Sequence, residues 1–372
     1  MIWDSRFILV RLYKKFGNYK LLLFFYHVVF CYLSYSFRIQ RGVSDAHFYW
    51  GQHVAISTHA WVEFADYGAN FILFLNYPFI LLGFPFWFGF VLYGIIGYLG
   101  LLQWISFTEK IIEGIYYRGY NFLPFLYFLP NLHYWTATLG KEPLVFLSLA
   151  TLFNFVVDFK GKIVPIALAF LFLLLIRPHV ALLFLFPLLL ILLFQKNYSL
   201  KRKIIFSIVS FSLFSVLFSM VFRLATVKYW DWNRIVYSND YSVLSFRNSG
   251  SYVPMLDYSI WYKLFSFNFR PLFFDSHSIW AFFASLENSF ILLLHFIGLL
   301  ILFFYHKKIY FPEWMKIVLL FALLFCLVYV QRYANLGIFM RTKIMFQPFI
   351  IIAMLFVIKQ GVIIQKTRIN YE

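Results

Sequence analysis

Long apolar runs, separated by short polar or basic stretches, make up most of this chain, and that pattern predicts its elements before any single residue does. A helix crossing a bilayer of about 30 Å needs about 20 residues, and fewer where the membrane thins or protein covers part of it. On that rule about ten spans fall at roughly 20–37, 85–107, 120–136, 142–157, 163–176, 178–195, 204–222, 280–305, 315–331 and 344–360. The third, fifth and sixth are short. Asn70 to Gly83, broken by Pro78 and followed by Pro85, reads as a half-span that lies in the interface or dips into the membrane. In hydrocarbon every backbone N–H and C=O must be paired within its own segment or in a closed barrel, and uncharged runs of this length favour helices over alternating barrel strands. The expected fold class is therefore all-α: a polytopic integral membrane protein, one membrane domain over 1–372, without internal repeat or low-complexity linker.

Composition agrees. The chain is 63% hydrophobic, 24% aromatic and 13% charged, with mean hydropathy +0.78, well outside the usage of soluble domains. A formal charge of +17 raises nucleic acid as a partner, but Lys and Arg sit in short loops and form no continuous basic stripe, so none is expected. They read instead as an orientation signal. About 19 of them fall on the side of the N-terminus and about 13 on the other, which places both termini in the cytoplasm. Tails 1–19 and 361–372 are then inside, and the two large loops, 38–70 and 223–279, are outside. Lys196, Lys201, Arg202, Lys203, Lys307 and Lys308, close to span ends, conform. The first run, Leu21 to Phe37, has a basic flank like a signal peptide, yet Ser34-Tyr35-Ser36-Phe37-Arg38 is too bulky for cleavage, so an uncleaved first span is expected. Cys31 and Cys326 lie in separate apolar runs and read as packing residues.

Ionisable residues at or inside span ends need partners or a purpose, and on this map such clusters all fall on the outer side. The first is Gly42-Val43-Ser44-Asp45-Ala46-His47-Phe48-Tyr49-Trp50, in which Asp45 can accept a proton from an incoming hydroxyl, hold a cation against phosphate, or cap a short helix. His47, His53 and His59 recur every six residues and cannot stack on one helical face, so no metal site is expected there. The second runs from Leu129 through His133-Tyr134-Trp135 to Lys141-Glu142-Pro143, where Lys141 and a helix N-terminus could hold phosphate, or Glu142 could cap a hairpin. Arg177-Pro178-His179 places an Arg where the outer leaflet meets water, for function or for snorkelling. Phe269-Arg270-Pro271 leads to Asp275 and to Glu287-Asn288; Glu287 would lie about 14 Å into a helix starting near Ser278, where a carboxylate needs a partner or a proton. The last is Gln331-Arg332 to Asn335 and Arg341-Thr342-Lys343, in which Arg offers a planar fork and Lys a mobile charge to phosphate. Trp230, Trp232, Tyr237, Tyr241, Tyr252, Tyr258, Trp261 and Tyr262 in the large loop fit an interfacial aromatic belt or a sugar-stacking platform.

The Asp45 segment resembles the GT-C superfamily of multi-spanning glycosyltransferases, and the Trp135-to-Glu142 turn, the Arg270-to-Asn288 segment and the Asn335-to-Lys343 approach to the last span resemble bacterial O-antigen and exopolysaccharide polymerase-like proteins. The likeness rests on about forty scattered residues between about 42 and 348. It implies an enzyme of the bacterial cytoplasmic membrane. Such an enzyme transfers a glycan from a polyprenyl-phosphate or pyrophosphate carrier to a saccharide hydroxyl, with the bilayer and other polysaccharide-assembly proteins as partners. Lys141, Arg177, Arg270, Arg332, Arg341 and Lys343 would surround the donor phosphate, Asp45 would be the base with Asp275 in reserve, and His47, Glu142, Glu287 and Asn335 would support them. No resident cofactor is expected, although a divalent cation is compatible. The chain shows no Asp-x-Asp pair and no long hydrophilic C-terminal domain, against the protein-glycosylating and oligosaccharyl branches. Two other expectations are a GT-C enzyme adding a single sugar and a transporter of lipid-linked oligosaccharide, the latter calling for midplane polar groups, broken helices and often inverted repeats.

Overall fold

A computed structural model describes residues 19–52, 56–117, 119–158, 163–194 and 231–369, with scattered positions between 199 and 219. Helix α1 spans Tyr19–Arg41, the short α2 Asp45–Tyr49, α3 Ala69–Leu81 and α4 Phe86–Ile111. A two-stranded hairpin, β1 Tyr116–Tyr117 and β2 Tyr120–Asn121, leads to α5 Pro130–Thr136, α6 Lys141–Val157, α7 Ile163–Ile176 and α8 Pro178–Phe194. Then come α9 Trp232–Leu244, α10 Ile260–Phe269, α11 Ile279–Tyr305, α12 Glu313–Tyr329, α13 Leu336–Lys343 and α14 Gln347–Ile369. Helix starts follow local chemistry. Pro130 and Pro178 take the first helical position, where a missing N–H costs nothing, while the Asp231, Ser259, Ser278 and Asn335 side chains accept from N–H groups opening α9, α10, α11 and α13.

The described residues are nearly all helical, with only the short β1–β2 hairpin besides, and their long apolar helices are consistent with an all-α membrane protein. By length and apolarity four described helices could cross a membrane, Tyr19–Arg41, Phe86–Ile111, Ile279–Tyr305 and Gln347–Gln365, and a fifth crossing exists if α5 and α6, bent by 113°, form one broken span. α3, α7 and most of α8 are apolar but shorter. Most expected spans coincide with helices. The run 120–136 does not: Asn121, Pro124 and Pro130 interrupt it, and it folds as β2, a 3-10 turn over Leu123–Phe128, and α5. Part of the apolarity there reflects burial against protein, since Leu123, Leu126, Tyr127 and Leu132 are in the core, whereas Phe122 and Phe125 are exposed. The run 204–222 lies mostly outside the described residues, and the loop expected over 223–279 holds α9 and α10.

α4 and α14 are central, with about half of their apolar windows buried (50% and 56%), whereas α1 and α11 are peripheral at 17% each. α4 packs most closely on α6, and a Cβ at Gly97 would collide with the Thr136 carbonyl while one at Gly100 would meet the Leu147 backbone at 3.1 Å. Small residues let helix backbones approach, which replaces the hydrophobic drive that lipid does not supply. Phe153 of α6 anchors the middle, its ring 4.3 Å from Phe349, 5.1 Å from Phe184 and 5.5 Å from Phe321, so α6, α8, α12 and α14 meet at one side chain.

Candidate functional site

Four separate stretches of sequence meet where α1 ends, α2 begins, α5 turns into α6 and α13 crosses them. Asp45 is the first residue of α2, and the residue before it, Ser44, is the cap, with its Oγ 2.8 Å from His47 Nδ1. The Asp45 carboxylate is therefore not engaged in capping. It accepts from Arg341 Nη1 at 2.6 Å, and its side chain stays 59% exposed. Arg341 Nε donates to Glu142 Oε1 at 2.6 Å, and the same oxygen accepts from Arg177 Nη2 at 2.8 Å. Glu142 is 1% exposed, so the second motif places a carboxylate between two guanidiniums rather than on a hairpin surface. Burial works against the Arg341 charge, yet the Glu142 and Asp45 carboxylates hold its pKa above the ordinary arginine value.

The wall is aromatic and basic. Arg38 and Arg341 each stand 5.8 Å from the Trp135 ring centre, and Lys141 Nζ lies 5.9 Å from that of Tyr49, cation–π distances. Arg177 also reaches the Tyr329 hydroxyl at 3.5 Å, which His179 Nε2 approaches to 2.8 Å. Arg38, Lys141, Arg177 and Arg341 face two carboxylates, so the cluster is formally positive. That balance suits an anionic group, and one oxygen of each carboxylate, Glu142 Oε1 and Asp45 Oδ2, already meets a guanidinium. Among the described residues no group of three or more His, Cys, Asp and Glu could hold a metal; His53 lies outside them, and His59 pairs with Glu63 at 2.8 Å.

The remaining expected site residues fall elsewhere. Arg270 and Asp275 close on one another through Nη2–Oδ1 at 2.5 Å and Nε–Oδ2 at 3.0 Å, and Oδ2 also accepts from the Leu272 N–H at 2.9 Å. These bonds raise the Arg270 pKa, and the Asp275 side chain is only 6% exposed. Lys343 Nζ donates to the Arg270 carbonyl at 2.9 Å and Asn288 Oδ1 at 3.0 Å. Burial pushes its pKa down to about 7, against the pull of Glu287. Glu287 Oε2 accepts the Asn131 N–H at 2.8 Å, and Asn131 Nδ2 donates to the Met340 carbonyl at 3.0 Å, tying α11, α5 and α13 together. Arg332 donates to Ser242 Oγ at 3.3 Å, and Asn335 caps α13 while donating to Ser249 Oγ at 2.8 Å. His47 braces α2, its ring stacked on Phe86 at 4.7 Å.

Beside the charged cluster lies a cleft of about 530 Å³, lined mainly by apolar side chains of α1, α5 and α11 and by Met340. α1 and α11 are the two least buried of the long helices, so the cleft sits at the outer edge of the helix bundle. Sequence reasoning did not assign roles to Arg38, Tyr49 and Trp135. The usable signal was Arg38 itself, a cation at the end of the first apolar run and seven residues before Asp45, read there only as a poor cleavage context. No protein-family model, no curated protein and no solved structure matches the chain.

Proposed function

We propose that this chain is a polymerase-like glycosyl-transfer enzyme of cell-surface polysaccharide assembly, acting on a polyprenyl-phosphate- or pyrophosphate-linked saccharide at the outer face of a bacterial cytoplasmic membrane. The observation that carries the reading is the meeting of Asp45, Lys141, Glu142, Arg177 and Arg341, taken from three motifs and the α7–α8 break, in one charged site next to an apolar cleft. A lipid-linked donor has the same two-part character. In this reading Arg341 and Arg177, fixed by Glu142, and Lys141 stabilise the leaving phosphate as its charge develops, and the exposed Asp45 carboxylate takes the acceptor hydroxyl proton. Asp275, closed on Arg270, leaves the base role to Asp45.

A map of ten crossings, in which 120–136 crosses as the 3-10 turn and α5 rather than as one helix, and the cytoplasmic termini belong to this proposal. A cysteine at Gly250, an exposed position with open space around it, reacts with an impermeant thiol reagent in intact cells if the loop is outside; labelling only after permeabilisation reverses the map. The function is tested with purified protein in lipid and a polyprenyl-linked oligosaccharide. A ladder of repeats supports the polymerase, one added sugar the single-sugar transferase, and no product removes both. The 113° bend between α5 and α6, with Glu287, Asn288 and Lys343 buried nearby, favours a lipid-linked saccharide transporter as second reading. Substrate crossing of vesicles without new glycosidic bonds would select it.

A further inference from the structure

Three neighbouring pairs straddle the border between cleft and charged cluster. Phe37, Tyr134 and Met340 line the cleft, while the next residue of each, Arg38, Trp135 and Arg341, belongs to the cluster. The apolar volume and the cationic wall are thus two ends of one space, built from α1, α5 and α13. The cations along it are not equivalent. Arg341 is held by Asp45 and Glu142, and Arg177 by Glu142. Arg270 is closed on Asp275, and Lys343 is surrounded by neutral oxygens. Arg38 and Lys141 have no carboxylate partner among the described residues, and of these two only Arg38 stands at the border of the cleft, next to Phe37; its buried Nε, like that of Arg177, has no hydrogen-bond partner there. A guanidinium beside an indole, at the border of an apolar cleft and without a carboxylate of its own, is placed to take an anionic acceptor from outside the chain.

We infer that Arg38 receives the phosphate of a polyprenyl phosphate whose isoprenoid chain occupies the cleft between α1 and α11. The geometry gives the ligand's class: an apolar chain for about 530 Å³ of space at the outer edge of the bundle, and an anionic head at its border. The isoprenoid identity rests on the transferase reading; the amphiphilic phosphate does not. Arg38 then makes the first contact with the head, ahead of Arg341, which Asp45 and Glu142 already hold in place.

The test uses the full chain in detergent with three probes: a polyprenyl phosphate, the matching polyprenol, and inorganic phosphate. Polyprenyl phosphate should bind most tightly. Arg38→Gln should weaken it by roughly tenfold or more, the loss of one charge-assisted contact, and leave polyprenol binding unchanged. Ala284→Trp, which fills the cleft, should weaken both lipids. Arg38→Lys should recover part of the loss, which separates a charge role from a folding defect. A photoreactive polyprenyl phosphate should label Phe37, Trp280 or Phe283 in the parent chain, a readout independent of any variant's stability. Binding to Arg38→Gln within about twofold of the parent overturns the assignment. So does equal competition by vesicles of an anionic phospholipid. If these results hold but no glycan is elongated, the transferase reading falls and the site stands; elongation with Arg38→Gln binding unaltered does the reverse.

Discussion

The charged cluster at Glu142 and the clamp at Arg270 are both made of arginine and carboxylate, yet they are built for different ends. In the clamp one guanidinium meets one carboxylate through two bonds, a backbone N–H takes up part of the second oxygen, and the Asp275 side chain is 6% exposed. Charge and hydrogen bonds are closed. In the cluster one buried oxygen of Glu142 is shared by two arginines, Asp45 remains 59% exposed, and Arg38 and Lys141 add positive charge without a carboxylate of their own. The stoichiometry and exposure of the pairing, more than the residue types, distinguish an open site from a structural lock.

The strongest way to break that contrast is to remove the shared carboxylate. Glu142→Gln leaves Arg177 buried without a carboxylate and Arg341 with Asp45 alone, and losing one partner of such a buried ion group costs about 3 to 5 kcal/mol. Asp275→Asn, which keeps an oxygen for the Leu272 N–H, should cost less, about 1.5 to 3 kcal/mol. Thermal unfolding of the two variants in the same detergent should show the larger fall for Glu142→Gln; the opposite order would mean that the clamp is the chief structural element.

The second contrast separates chemistry from architecture. Arg341→Ala should remove polysaccharide production while much of the protein remains in the membrane, because Glu142 keeps Arg177. Arg270→Ala should lower the amount of protein, and what folds should elongate glycan within about threefold of the parent rate. Product formation and immunoblotting of membranes read both, and full activity of Arg341→Ala would remove it from the site.

A smaller effect concerns pH. Burial lowers the Lys343 pKa from the ordinary 10.5 to about 7, whereas Arg270 beside it stays charged throughout. Between those two values the unfolded chain binds a proton that the folded chain does not, so stability should rise with pH across that window. Lys343→Gln should flatten the rise, and an unchanged slope would assign it to other groups.

Much of the helical plan was legible because apolar runs and Pro, Ser or Asn at their starts act locally: Pro178 opens α8, Ser278 caps α11, and Asn335 caps α13. The run 120–136 was misread because hydropathy does not distinguish apolar residues facing lipid from those such as Leu123 and Tyr127 packed in the core. In the site, Asp45, Lys141, Glu142, Arg177 and Arg341 were identifiable as charges at span ends. Their partners were not, since the Arg341–Glu142 contact joins positions 199 residues apart. For the same reason Arg270 and Asp275, five residues apart, looked like site residues but proved to be each other's partners. Arg38 was passed over because its significance is a missing partner, which no sequence pattern displays.

The account depends on Asp45 as the base of an open site, and the direct measurement is glycan elongation by purified Asp45→Asn in lipid. The amide keeps an oxygen for Arg341, and Ser44 rather than Asp45 occupies the cap position of α2, so the fold should survive. An amide takes no proton at neutral pH, and general-base contributions are typically about 10² to 10⁴ in rate. The variant should bind polyprenyl-linked donor like the parent and elongate glycan at least about a hundredfold more slowly. Elongation within about threefold of the parent rate below saturation would contradict the account and leave Asp45 as a partner of Arg341 only.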